Sequence, residues 1–129
     1  MALYLLDTDA VIDYLNRFPP TLTLLRELTA DADILCTCDA VLAEVYTGLQ
    51  PRHEAIASDF VPSLRFLAGS PDAAERAGRW RYAFSQQGQT LPLTDALIAT
   101  TALAHNATLV TGNVRDYPMP NVSLLRLPR

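Results

Sequence analysis

The run Leu3-Tyr4-Leu5-Leu6-Asp7-Thr8-Asp9 constrains this chain more than any other stretch. Its first four positions are all apolar, which suits a strand covered on both faces, as in a parallel sheet. Parallel sheets carry their chemistry at the carboxyl ends of the strands, where the chain turns into a helix. Asp7 falls at that point, and Ala10 to Leu15 then reads as the helix. An acid closing a wholly apolar strand has little structural reason to be there.

At 129 residues, half of them hydrophobic, the chain is expected to form one domain with a proper core. Folding at this size buries about two-thirds of the surface that the unfolded chain exposes. No apolar run approaches the roughly 20 residues of a membrane helix. The first residues lack the basic start and cleavage site of a signal peptide, so a cytoplasmic location is the expectation. The net charge is −4, with ten Arg and no Lys. That balance excludes a broad cationic grip on phosphates and every mechanism needing an ammonium group. A nucleic-acid role would need local Arg, a metal, or both. Cys36 and Cys38 form C-x-C, which is neither a thioredoxin nor a zinc spacing, so reduced, half-buried thiols are expected.

Strand and helix signals alternate along the chain, without repeat or linker. The expected fold class is α/β, three layers around a central, mostly parallel sheet. Pro19-Pro20 interrupts after the first helix, and Thr21 to Ala30 carries Leu22, Leu25 and Leu28 at helical spacing. Ile34 to Thr37 reads as the second strand. Asp39 is a natural cap for a helix over Ala40 to Gly48. There Leu42, Val45, Tyr46 and Leu49 form a stripe that leaves Glu44 roughly opposite. Pro51 opens a further helix, with Ile56 and Phe60 inward, which Pro62 should end. Leu64 to Ala68 is a candidate short strand. Ser70-Pro71 is a cap followed by proline at the first helical position. Ala73, Ala77, Trp80 and Phe84 give the next helix its buried stripe, flanked by Arg76 and Arg79. Thr94 is expected to cap a buried helix from Asp95 to His105, with Asn106 closing it. Thr108 to Val110 and Val122 to Leu127 are the remaining strands.

Asp7, Glu44, Asp95 and Asp116 then occupy comparable places, and a parallel sheet would bring all four to one rim. Taken singly, Asp95 also reads as a helix-dipole acid, Glu44 as a solvated residue, and Asp116 as turn chemistry. Clustered carboxylates raise one another's pKa. A hard cation with oxygen ligands removes that penalty, and Mg²⁺ is typically held by one or two carboxylates plus waters and phosphates. Such an ion activates water and neutralises charge building up on phosphorus. His53 and His105 have no partners in the sequence that would make a serine-type triad.

L-L-D-T-D-A-V-I-D-Y-L, A-E-V-Y-T-G-L, L-P-L-T-D-A-L-I-A-T-T-A-L and V-T-G-N-V-R-D-Y resemble the four signature segments of PIN-domain nucleases, in order and spacing. The chain looks in particular like the VapC toxins of bacterial toxin–antitoxin pairs. The resemblance implies a metal-dependent endoribonuclease using Mg²⁺ or Mn²⁺, with an acidic site at Asp7, Glu44, Asp95 and Asp116. Asp7 and Asp95 would bind the metal directly, and Asp116 directly or through water. Glu44 would hold a second ion or help deprotonate the attacking water. Thr8, Thr111 and Asn113 match supporting polar residues, and Arg76 or Arg79 would steady backbone phosphates. The implied partners are the RNA substrate, a cognate antitoxin covering the site, and a second copy. The dimer surface is expected on the helices over Asp39 to Val61.

Two positions depart from the pattern. Asp9 stands where the family usually has Asn or Ser, and Asp39 where Ser or Thr is frequent. Asp9 would bind a second metal ion or alter the surroundings of the first; on local pattern alone it is a helix cap, and Asp13 a surface acid. Two rivals stay open from sequence. Asp7-Thr8-Asp9-Ala10-Val11 also resembles the first motif of haloacid-dehalogenase-type phosphotransferases, a family that relies on a downstream Lys, or occasionally Arg. A PIN-like module that binds RNA or protein without cutting would use the acids only for docking.

Overall fold

The computed structural model describes Met1–Arg129 as five strands and six helices. The strands are β1 (Leu3–Leu6), β2 (Ile34–Thr37), β3 (Arg65–Phe66), β4 (Thr108–Thr111) and β5 (Leu124–Arg126). The helices are α1 (Thr8–Leu15), α2 (Pro19–Ala30), α3 (Asp39–Thr47), α4 (Glu54–Ser63), α5 (Pro71–Gln86) and α6 (Leu93–Ala104). Short 3₁₀ turns cover Pro51–His53 and Val114–Asp116.

All strands pair in parallel, in the order β3-β2-β1-β4-β5. The expected parallel sheet therefore holds throughout, with the short third strand and the last strand at its edges. β1 is central: Leu5 and Leu6 face Leu109 and Val110 of β4 in register, and all four are fully buried. The chain winds outward from β1 to β2 and β3, then returns past β1 to β4. α1 packs against α2 and α3, α5 runs against α6, and α3 also meets α6. The direction of winding reverses between β1 and β4, so the crevice beyond their carboxyl ends is the switch point where such sheets bind ligands.

Several local expectations shift. Pro19 and Pro20 do not break a helix but open α2, where a missing N–H costs nothing. The first residue of α3 is Asp39, with Cys38 at the cap position, although the Asp39 carboxylate still accepts from the Ala40 N–H at 2.8 Å. Pro62 lies inside the last turn of α4 rather than after it. α6 starts at Leu93 behind Pro92, and Thr94 makes no cap bond. The Ser70 cap is as expected, its hydroxyl accepting from the Ala73 N–H at 3.1 Å. Asn106 closes α6 with φ of +54°, the left-handed conformation that asparagine tolerates. Cys36 and Cys38 are free and wholly buried, and burial pushes the Cys38 thiol up to about 11.

Candidate active site

Asp7 leaves β1 while its N–H still donates to the Val110 carbonyl at 2.9 Å, so the sheet ladder fixes its backbone. Its carbonyl starts α1 by accepting from Ala10 and Val11. The side chain is buried. Oδ1 accepts from the Thr8 N–H at 2.7 Å; Oδ2 accepts from the Thr111 hydroxyl at 2.9 Å and the Tyr117 hydroxyl at 2.7 Å. Burial raises the Asp7 pKa against the pull of those donors, and Glu44 raises it further. A carboxylate this desolvated, and without an ion pair of its own, favours a cation.

The other acids arrive from three elements. Glu44 comes from α3, and Oε1 accepts from the Thr8 hydroxyl at 2.6 Å. Its placement differs from the expected stripe. The buried side of α3 is Ala40, Val41 and Val45, while Tyr46 is half exposed. Glu44 therefore flanks the buried side instead of opposing it, which is how it reaches Thr8. Asp95 stands in the first turn of α6, half-buried. Its pKa rises to about 7, first through burial and then through Asp116, Asp7, Glu44 and Asp9 acting through space. Asp116 ends the 3₁₀ turn after β4, exposed, its Oδ1 accepting from the Asn113 amide at 3.0 Å.

The structure thus gathers all four expected acids at the switch point, with Thr8, Thr111 and Asn113 as the donors that orient Asp7, Glu44 and Asp116. No three of the carboxylates are drawn into a ready-formed ligand group, as expected of like charges facing one another. The donor set is nonetheless oxygen throughout, the chemistry of a hard divalent ion. Asp9 adds a buried Oδ1 without a hydrogen-bond partner. These residues fit such an ion.

Asp9 is not a helix cap. Its Oδ2 accepts from the Gly112 N–H at 2.7 Å, and Arg129 stands 4.0 Å away. Burial, then Asp7, raises its pKa to about 6. Tyr117 was legible only as the residue after the fourth acid, yet it is the second hydroxyl on Asp7. Burial and the Asp7 charge push its own pKa far up, so it stays a donor. Arg76 and Arg79 lie on α5 and touch none of the acids: Arg76 sits over the Trp80 ring, and Arg79 pairs with Glu75 at 3.0 Å.

An acidic rim at the switch point of a small all-parallel α/β domain is the architecture of one nuclease class. Residues 4–117 match the family model for the PIN domain, and the chain belongs to that family. It is similar to ribonuclease VapC2 of Haemophilus influenzae, at 30% identity over 122 residues and 91% of each chain. Ribonuclease VapC2 of Rickettsia felis is 29% identical over 128 residues, 95% of this chain and 96% of that one. Among solved structures, VapBC2 from Rickettsia felis bound to a promoter DNA fragment superposes with a TM-score of 0.84 at 27% identity, covering 98% of this chain and 99% of that one. Divalent-metal dependence is a general property of the family. A match across nearly the whole chain sets the phosphotransferase reading aside.

Proposed function

We propose that the protein is a metal-dependent endoribonuclease acting as the toxin of a toxin–antitoxin pair. The observation that carries this is the carboxyl of Asp95, on which Asp7, Glu44, Asp116 and Asp9 all act from elements far apart in sequence. The relatives named as VapC ribonucleases support RNA as the substrate.

Asp7 and Asp95 are assigned to hold Mg²⁺ or Mn²⁺ directly, with Asp116 completing the set directly or through water. When bound, such an ion activates water and offsets charge developing on the phosphodiester. Thr111 and Tyr117 fix the Asp7 carboxylate, and Thr8 fixes Glu44. Glu44 is assigned to take the proton of the attacking water. Arg76 and Arg79, exposed on α5, are assigned to backbone phosphates flanking the cut rather than to the reacting one.

The acidic rim is complementary to a cationic antitoxin segment, and the related VapBC2 structure is such a complex by its name. We assign a homodimer to the face around α3 and α4, where Tyr46 and Ile12 are large and exposed; a monomeric elution at high concentration without antitoxin would count against it. No helix is long and apolar enough to cross a membrane, and the site of action is assigned to the cytoplasm.

The test is sequencing of RNA ends after induction of the wild type and of Asp7→Asn. New ends should appear with the wild type and be absent with the variant, whose unfolding transition stays cooperative. Full cleavage by Asp7→Asn refutes the assignment, and absence of Mn²⁺ binding to the wild type by calorimetry favours a non-cutting module.

A further inference from the structure

Asp9 brings a second carboxylate two residues from Asp7. Like charges that close repel each other. The structure supplies an offset from beyond β5. Arg129 Nη2 stands 4.0 Å from Asp9 Oδ2, while Nη1 donates to Asp13 Oδ2 at 2.6 Å. Asp13 is further held by the Thr21 hydroxyl at 2.7 Å, and the guanidinium rests over the Phe18 ring. One fork therefore spans two acids a turn apart on α1.

The same place is filled from the other side by Gly112. Its N–H donates to Asp9 Oδ2, and a Cβ there would lie 2.6 Å from that oxygen and 2.7 Å from Arg129 Nη2. Gly112 is flanked by Thr111, which holds Asp7, and by Asn113, which holds Asp116. Asp9 thus ties α1 to the loop that orients two of the four acids, and Arg129 packs against both Asp9 and Gly112 at that tie. We propose that Arg129 is a positioning residue for the nuclease site, acting through Asp9. This rests on the reading of the acids as the metal-binding centre.

The experiment is a double-mutant cycle with Arg129→Ala and Asp9→Asn, read by Mn²⁺ titration, thermal unfolding and cleavage of a short RNA. In the Asp9 background, Arg129→Ala should lower kcat about fivefold or more and shift the Mn²⁺ Kd; in the Asp9→Asn background both changes should fall within about twofold. Arg129→Lys keeps the charge and should recover most of the loss, which also covers the case of Arg129→Ala failing to fold. Equal losses in both backgrounds assign Arg129 to Asp13 alone and overturn the proposal, as does an Arg129→Ala protein indistinguishable from wild type. Asp7→Asn, run in parallel, separates the two readings: it loses cleavage if the acids are the centre, whatever the cycle shows.

Discussion

Asp7 accepts three hydrogen bonds and is paired with no cation. Its position was legible because an acid at the end of an all-apolar strand has no packing reason to be there. Asp95 and Asp116, taken singly, read as a helix-dipole acid and as turn chemistry, and the resemblance of their segments to the PIN pattern singled them out. What surrounds them was not legible. Tyr117 stands out in sequence only as the residue after Asp116, and only the folded loop turns its hydroxyl onto Asp7. The partnership of Asp9 with Gly112 and Arg129 left no local trace either, because the three meet only once α1, the loop after β4 and the segment beyond β5 are assembled. Gly112 gives the residue-scale prediction. Any side chain there displaces Asp9 and Arg129, and small misplacements of catalytic groups cost heavily. Gly112→Ala should lower RNA cleavage by about tenfold or more with little change in far-ultraviolet circular dichroism. Unchanged cleavage would show that the close approach at Gly112 has slack.

Element by element, the sequence was most informative where one residue has one physical use. Ser70-Pro71 opened α5 and Asn106 closed α6 as their side chains dictate. It misled where two uses compete. Pro19-Pro20 breaks a helix that precedes it and begins one that follows, and here the second applies. In α3, apolar residues lie almost all round, so the stripe through Tyr46 looked as good as the true one through Val41 and Val45. Packing of α3 against α1 and α6 selects between them, and that information is absent from a local window. The Ser70 cap is separable from the chemistry. Ser70→Ala removes the partner of the Ala73 N–H and should destabilise the protein by about 1 kcal/mol, measured by urea unfolding, while RNA cleavage at low temperature is unchanged. A loss of cleavage without loss of stability would contradict the separation.

For the whole molecule, the gathered acids make stability depend on pH and on metal. Asp95 and Asp9 have pKa values of about 7 and about 6 in the folded protein, against an ordinary 3.8. Between those values the folded state holds more protons than the unfolded one, so stability falls as pH rises through that window. Burial acts in the same direction on Asp7. In chelator, the unfolding temperature should therefore be higher near pH 5 than near pH 7.5, provided other groups contribute equally to both. A divalent ion held by the folded form alone raises the value at the higher pH and narrows the gap, which added Mn²⁺ tests. A protein in chelator that becomes more stable on going from pH 5 to 7.5 would show that the acids are not coupled as described.

The bonds that hold Asp7 reach 104 residues forward to Thr111 and 110 to Tyr117. During translation the first strand is made long before its hydroxyl partners. Until then the Thr8 N–H can hold one oxygen of the aspartate, while the other lacks both of its hydroxyl donors.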